Sequence, residues 1–212
     1  SNYVTDQPYY WKMPKEFLAD KVLTYNGWLK FRLWARQSSR FPESVMSRYP
    51  LVVLQGNHRL ILYHFEKNDA TLLNRSSSYN GDFHQVKIHE SQWIQRDNPR
   101  FEVTRKHLMI ALQKVQYILI RATTGPDAQT ARLSDLTLDV AAEMRSKSLY
   151  GNPAIGVEQC FCPPQYTGAS CQDPNIGYYR KRKPNYLDSK ELIDLVGWAE
   201  PCPVSYTHLT LP

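Results

Sequence analysis

Short runs in which apolar and polar residues alternate are the feature that most restricts how this chain can fold. The pattern occurs at residues 29–33, 86–89 and 136–140. An alternation of period two gives a β-strand one apolar face and one polar face. We therefore expect an all-β protein, with antiparallel strands arranged in a sandwich that buries one face of each sheet.

The connections between these strands also carry signals. The runs LVVLQG and RLILYHF flank Gly56-Asn57, a typical turn sequence, and are predicted to form a hairpin or closely consecutive strands. Residues 103–116 instead place apolar side chains at helical spacing, with Thr104 as the N-cap. Residues 117–124, YILIRATT, follow directly and have the β-branched, apolar character of a central strand. One short helix is thus expected in the sandwich.

The composition fits a globular protein, because 42% of the 212 residues are hydrophobic and 22% are charged. The longest run of aliphatic residues or methionine covers residues 108–112, far below the roughly 20 residues of a spanning helix. No membrane span is expected. The first residues, SNYVTDQPYYWKMP, resemble neither a signal peptide nor a transit peptide, and we expect an internal fragment.

The net charge of +6 does not indicate a nucleic-acid partner. Residues 1–150 hold 21 Lys and Arg against 14 Asp and Glu, and the cations are scattered among acids and aromatic residues. The one dense basic run, RKRK at residues 180–183, is interpreted as a solvated loop, with a heparin contact as the alternative.

Few residues have the spacing of a metal or catalytic site. His84 and His89 are predicted to point to opposite faces of one strand, so they are interpreted as ordinary polar histidines. There is no phosphate-binding loop, nucleophile elbow or CxxC pair. Asp20, Asp135 and Asp139 would form a Ca²⁺ site if they met at one end of the sandwich. Exposed or capping carboxylates are the alternative interpretation.

Several aromatic residues are candidates for a sugar-stacking surface, since a flat ring can cover the apolar face of a pyranose. They are Tyr9, Tyr10, Trp11, Trp28, Trp34 and Trp93. We expect most of them to lie in the core instead. Asn74-Arg75-Ser76 is an N-glycosylation sequon, which is usable if the chain is secreted.

All four cysteines fall after residue 159. The change in composition follows a linker candidate, residues 149–156, LYGNPAIG. The segment beyond it is rich in Pro, Gly, Tyr and Cys and has few aliphatic residues, so it cannot build a large core and needs covalent cross-links.

Particular stretches resemble a known family. Residues 157–180, VEQCFCPPQYTGASCQDPNIGYYR, resemble the half of a laminin EGF-like module that resumes after an inserted laminin type IV domain. Residues 9–33, beginning YYWKMP, are similar to the opening of a laminin IV domain, with Trp11 and Pro14 in its Trp-x-x-Pro signature. LVVLQGN, VTRKHLMIALQKVQYILIRAT and ARLSDLTLDVA resemble later signatures in the same order. The tail GWAEPCP favours an α-type laminin chain over a γ chain or perlecan.

The resemblance implies a jelly-roll-like sandwich at residues 9–150 and a partial EGF-like module at residues 157–203. The tail at residues 204–212 matches nothing in the family and is interpreted as an artefact outside the fold. It also implies a secreted basement-membrane glycoprotein without catalysis or a cofactor, whose partners are other laminin chains and matrix components. The alternatives are a heparin- or carbohydrate-binding sandwich of a perlecan-like proteoglycan, with sulfated glycans as partners, and a glycoside hydrolase, which needs two facing carboxylates.

The family pairing implies a disulfide between Cys162 and Cys171. Cys160 and Cys202 would then find their partners outside this chain. The cysteines that close the last loop in the family are both absent, since their positions hold Pro174 and Ala199. That loop must be held by other contacts, for which Tyr178, Tyr179, Leu192, Leu195 and Trp198 are candidates, together with a short helix in SKELIDLV.

Overall fold

The computed structural model describes residues 6–66, 81–142, 154–157, 160–181 and 198–202. The chain divides into two compact units, residues 1–157 and residues 158–212. Each unit is described separately.

The first unit contains eight strands in its described residues. They are β1 (Tyr10–Lys12), β2 (Trp28–Arg36), β3 (Val52–Gln55), β4 (Ile61–His64), β5 (Asp82–Lys87), β6 (Ile94–Gln95), β7 (Tyr117–Arg121) and β8 (Thr130–Leu138). Two α-helices accompany them, α1 (Glu43–Met46) and α2 (Arg105–Leu112). Single 3-10 turns lie at Lys15–Phe17, Val22–Thr24, Asn57–Arg59 and Glu90–Gln92.

The eight strands form two antiparallel sheets. One has the order β1-β7-β3-β4-β6 and the other the order β5-β2-β8. In both sheets an early strand pairs with a late one, β1 with β7 and β2 with β8. The predicted all-β sandwich is confirmed, and the run YILIR does form an interior strand, β7.

The core lies between these two sheets. Leu29 and Phe31 of β2 are buried, as are Leu54 of β3 and Ile120 of β7. A small cavity of about 10 Å³ touches side chains of both sheets and of α2, among them Leu29, Leu54 and Leu112. A space of this size is about one water probe, so the two layers are closely packed.

The pairing of β2 with β8 contains a β-bulge. Lys30 lies opposite Thr137 and Arg32 opposite Ser134, so two residues of β8 face a single residue of β2. The first of the two, Asp135, has a φ of 50°, in the left-handed region. A bulge of this kind bends the strand and increases its twist locally.

The hairpin predicted around Gly56-Asn57 is confirmed. β3 and β4 pair from Val52 opposite His64 to Gln55 opposite Ile61. Gly56 lies directly against α2, since a Cβ placed on it would be 2.2 Å from the carbonyl oxygen of Ala111. Only glycine lets the hairpin approach the helix backbone so closely.

The predicted helix is confirmed as α2, with Thr104 at its N-cap. His107 Nδ1 accepts a hydrogen bond from the backbone N–H of Thr104 at 3.2 Å. Burial lowers the pKa of His107, which favours the neutral imidazole that this bond requires. The sequence predicted only one helix. It did not predict α1, a single turn whose four residues show no long apolar period.

The second unit contains four short strands in its described residues, β9 (Tyr166–Thr167), β10 (Asp173–Pro174), β11 (Tyr178–Lys181) and β12 (Trp198–Pro201). β9 pairs with β10 and β11 pairs with β12. A disulfide joins Cys162 to Cys171, whose Cα atoms are 5.4 Å apart. Cys160 and Cys202 are free and exposed.

The two positions at which the EGF-like resemblance would place a further pair of cysteines lie in this small unit. Pro174 belongs to β10, and Ala199 pairs with Arg180 across β11 and β12. The backbone N–H of Ala199 donates to the hydroxyl of Tyr166 at 3.1 Å. Lys181 Nζ contacts both carboxylate oxygens of Glu200 at 3.0 Å. Backbone pairing and these side chains therefore connect the two ends of the loop between Pro174 and Ala199.

No helix within the described parts of the chain has the length and apolar character needed to cross a membrane.

Candidate functional site

The outer face of the three-stranded sheet carries a row of aligned cationic, polar and aromatic side chains. Because Leu29 and Phe31 point into the core, the intervening positions of β2 point outward. Five outward side chains of β2 therefore stand in a row: Trp28, Lys30, Arg32, Trp34 and Arg36. The register adds Phe83, Gln85 and Lys87 from β5 and Thr130, Arg132, Ser134 and Thr137 from β8.

Three cations of this outer face lie over aromatic rings. Lys87 Nζ is 4.9 Å from the centroid of Trp28. The guanidinium carbon of Arg32 is 5.2 Å from the centroid of Phe83. The guanidinium carbon of Arg132 is 5.0 Å from the centroid of Trp34. Each cation is held over a ring by cation–π attraction, which is worth roughly 0.5–1 kcal/mol at exposed sites.

Two of the candidate calcium ligands lie on the same face, where they contact cations. Asp139 binds Lys30 Nζ at 3.0 Å, and Asp135 binds Arg32 Nε at 2.9 Å. Asp20 accepts a hydrogen bond from the backbone N–H of Val22 at 2.9 Å, as a capping carboxylate does. Among the residues that the structure describes, no three His, Cys, Asp or Glu side chains group in a way that could hold a metal ion.

A second feature is a cavity of about 440 Å³ in the first unit. Its wall includes Arg121, Glu66 and His84. The buried guanidinium of Arg121 donates to Glu66 Oε2 at 3.0 Å and to the carbonyl oxygen of Tyr49 at 2.9 Å. Its Nε has no hydrogen-bond partner within the described chain.

His84 completes this cluster. Its Nδ1 is 3.5 Å from Glu66 Oε1, and its ring stacks on Phe31 with centroids 5.3 Å apart. Burial lowers the pKa of His84, and the charge of Glu66 opposes the shift only in part. Burial likewise lowers the pKa of Arg121, against the favourable charge of Glu66. The cluster thus joins the two sheets by polar contacts at one end of the core.

The two histidines considered in the sequence do not share a strand. His84 lies on β5 and faces inward, whereas β5 ends at Lys87. His89 is the N-cap of the 3-10 turn Glu90–Gln92, where its Nδ1 accepts from Ser91 N–H at 3.3 Å. The prediction that both are strand residues is wrong for His89, because the chain turns after Ile88.

The expectation that most of the candidate aromatic residues lie in the core is wrong. Trp93 is buried, but Tyr9 and Trp11 are exposed. Tyr10, Trp28 and Trp34 are half-buried. Trp28 and Trp34 belong to the outer face because they alternate with the buried residues of β2.

The chain enters and leaves the sandwich of the first unit at two separate places, near Tyr9 and near Ile155. At the start, the backbone N–H of Tyr9 donates to Thr123 Oγ1 at 3.0 Å. The neighbouring Thr124 bonds Gln37, which directly follows β2. At the exit, Asn26 Nδ2, two residues before β2, donates to the carbonyl oxygen of Ile155 at 2.9 Å. The chain therefore enters near one end of β2 and leaves near the other.

A second contact fixes the exit segment, residues 154–157. Arg105 Nη2 donates to the carbonyl oxygen of Gly156 at 2.8 Å, and its guanidinium lies 5.0 Å from the ring centroid of Tyr25. The hydroxyl of Tyr25 donates to Glu90 Oε2 at 2.8 Å. Burial and this bond to Glu90 raise the pKa of Tyr25 to about 12, so the phenol stays protonated.

Some sequence predictions fall outside the described residues. They concern Asn74, Leu192, Leu195, the SKELIDLV helix and the tail at residues 204–212.

The first half of the basic run at residues 180–183 is not a loop, because Arg180 and Lys181 belong to β11. Arg180 contacts the carbonyl oxygen of Gln172, and Lys181 contacts Glu200.

The basic outer face was not predicted from the sequence. The alternation in WLKFRLWAR contained the signal, because its polar phase consists of Trp and cations only. Lys87 and Arg132 join this row through strand pairing, which a local pattern does not reveal.

A family model described as Laminin B (Domain IV) matches residues 10–158. A mouse protein named basement membrane-specific heparan sulfate proteoglycan core protein is 35% identical over 196 residues, which cover 92% of this chain and 5% of that protein. Mouse laminin subunit alpha-1 is 28% identical over 181 residues, 84% of this chain and 6% of the subunit.

A solved structure of a laminin domain has a similar fold. The L4b domain of human laminin alpha-2 superposes with a TM-score of 0.53 at 25% identity, covering 64% of this chain and 71% of that one. The chain spans only 5% and 6% of the length of the two mouse relatives, and their identities do not favour a laminin α chain over a proteoglycan. The family model and the fold together place the chain in the laminin B (domain IV) family.

Proposed function

We propose that this chain is a non-enzymatic structural and interaction module of a secreted, laminin-like basement-membrane protein, inserted in a rod of laminin EGF-like repeats. The family and the relatives named as basement-membrane proteoglycans support an extracellular matrix setting. In that setting its partners are other laminin chains and matrix components.

The observation that carries the proposal is the placement of the entry and exit segments. Tyr9 is bound beside Thr123 and Ile155 beside Asn26, at opposite ends of β2. A strand of nine residues spans roughly 30 Å. Entry and exit points this far apart separate the segments that flank the sandwich, which supports a spacer role for the module.

The second unit supports the same setting. Its Cys162–Cys171 disulfide requires an oxidising compartment, and the exposed Cys160 and Cys202 are available to cysteines of flanking repeats. We assign residues 9–150 to the sandwich and residues 157–203 to the partial EGF-like module. The sequon at Asn74 would be glycosylated on secretion.

A glycoside hydrolase is the enzymatic alternative. Glu66 and Asp82 both line the larger cavity. Glu66, however, is engaged by Arg121 and His84, which suits a structural ion pair better than a catalytic acid facing a second carboxylate.

Distance measurements between spin labels test the spacer function. The labels are attached at Tyr9→Cys and Ile155→Cys, with Cys160 and Cys202 replaced by serine. Both side chains are exposed, and the contacts of both residues that position the chain use backbone atoms. We expect a distance of roughly 30 Å plus the label arms, from the length of β2.

A matched pair, Tyr9→Cys with Arg40→Cys, places both labels at the entry end and should give a clearly shorter distance. Phe41 beside Arg40 bonds the carbonyl oxygen of Thr124. Equal distances in the two pairs would contradict a module that spans the rod.

A further inference from the structure

We propose that the outer face of the three-stranded sheet binds a sulfated polysaccharide chain along a row of five cations, Lys87, Lys30, Arg32, Arg132 and Arg36. This row is called the cationic track. The proposal names the partner class of the interaction module and rests on the matrix setting proposed above.

The strand register orders the track. Lys87 lies opposite Trp28 at the start of β2, followed on β2 by Lys30 and Arg32. Arg132 lies opposite Trp34, and Arg36 ends the strand. Alternate residues of one strand are about 6.6 Å apart, so the track is roughly 27 Å long. An extended oligosaccharide of several sugar units covers that length.

The charge of the face is complementary to a polyanion. The described residues of the face include five cations and two carboxylates, Asp135 and Asp139. Those acids bind Arg32 and Lys30, which lie in the middle of the track. No described carboxylate pairs with Lys87, Arg132 or Arg36, so the two ends of the track offer cations to a ligand.

Aromatic stacking prepares these cations for sulfate groups. The rings of Trp28 and Trp34 lie under Lys87 and Arg132 at 4.9 and 5.0 Å. A guanidinium stacked on a ring keeps its in-plane N–H donors free, and those donors match the paired oxygens of an oxyanion. Stacking also restricts the long side chains before binding, which lowers the entropic cost of ordering them.

The same stacking argues against neutral sugars. A neutral sugar requires an open aromatic face. The rings of Trp28, Trp34 and Phe83 are each covered by a cation. Among polyanions, a sulfated glycan fits a matrix protein, whereas single-stranded nucleic acid is bound through open aromatic faces on which bases stack.

Retention of the full 212-residue chain on immobilised heparin, eluted by a salt gradient, tests the proposal. Affinity for a size-defined heparin octasaccharide is then measured at several salt concentrations. The test variant is Lys87→Gln with Arg132→Gln. The matched control is Arg100→Gln with Lys106→Gln, which removes the same charge from exposed positions outside this sheet.

We expect the wild-type chain and the control to bind alike. The test variant should bind roughly ten-fold or more weakly, and the slope of log affinity against log salt should fall by about two, one per cation removed. Arg36→Gln is a milder variant at an exposed strand end. It should reduce the slope by about one without touching any ring, so the proposal stays testable if the double variant folds poorly.

Several outcomes would overturn the proposal. They are no salt-dependent retention of the wild-type chain, equal losses in test and control variants, and a loss that follows Arg182→Gln with Lys183→Gln instead. Equal affinity for a DNA oligonucleotide of matched charge, or preference for a neutral glycan, would also contradict it. The spin-label distances do not depend on any of these results, so the spacer function and the track fail separately.

Discussion

The side-chain amide of Asn26 donates a hydrogen bond at 2.9 Å to the backbone carbonyl of Ile155, which lies 129 residues further along the chain. Asn26 has a φ of 60°, in the left-handed region that asparagine tolerates better than most residues. The residue therefore combines a strained backbone position with the contact that holds the exit segment.

Replacing Asn26 should loosen that segment. In Asn26→Ala we expect faster hydrogen exchange at residues 154–157 and a loss of unfolding free energy of about 1–2 kcal/mol, because both the bond and the left-handed preference are lost. Asn26→Gly keeps the backbone conformation, so it should speed exchange with a smaller loss of stability. Unchanged exchange in both variants would show that Arg105 alone fixes the exit.

Gly56→Ala should destabilise the sandwich strongly. The new Cβ would meet the backbone of Ala111 at 2.2 Å from its oxygen, and backbone atoms cannot rotate away. We expect a loss of several kcal/mol in denaturant unfolding, as for other severe overpacking of a core. The neighbouring Gln55→Ala, which removes only an exposed hydrogen bond to Gln116, should cost below about 1 kcal/mol. Similar midpoints for the two variants would contradict the close approach.

Stability should fall as the pH is lowered from 7.5 to 5.5. The folded pKa of His84 is lowered by burial, despite the opposing charge of Glu66, so the unfolded chain takes up a proton more readily. The stability linked to His84 is therefore present above about pH 6.5, its ordinary pKa, and is lost as the pH falls through the lower folded value. The same sign applies to His107.

Thermal unfolding measured across that pH range checks this. His84→Gln should flatten the pH dependence, and His107→Gln should flatten it further in combination. His89→Gln controls for the loss of a surface histidine. A wild-type melting temperature that rises as the pH falls would contradict the assignment.

A peptide map under non-reducing conditions, with thiols alkylated before digestion, should recover one bridge between Cys162 and Cys171. Cys160 and Cys202 should both be alkylated, since both are exposed and free. Removing the bridge by double serine substitution should destabilise the second unit by about 3 kcal/mol, the value for so short a loop. A bridge between Cys160 and Cys202, or four alkylated thiols in a folded product, would refute the pairing.

Local patterns predicted the elements whose stability depends on local sequence. The helix that begins after Thr104 and the hairpin at Gly56-Asn57 are set by capping, period and turn residues a few positions apart. The alternation in β2 likewise predicted which of its faces is buried.

Elements that depend on pairing between distant residues were not predictable in this way. Arg132 joins the cationic track only because β8 pairs with β2 about 100 positions away. Arg121, Glu66 and His84 meet because β7 and β4 end near the start of β5, and a single sequence shows no periodicity for such an encounter. The contact of Asn26 with Ile155 also joins distant residues, so no local pattern predicted it.

The bulge at Asp135 resolves an irregularity in the spacing of leucines along β8. Leu133 and Leu136 are three positions apart, an odd number that would place them on opposite faces of a regular strand. The extra residue shifts the phase of the alternation by half a period, so Leu133, Leu136 and Leu138 are all partly sheltered while Ser134 and Thr137 are exposed. Deleting one residue there would set the two halves of β8 out of step and turn one set of leucines toward solvent, whereas an ordinary substitution at the same place would leave the phase intact.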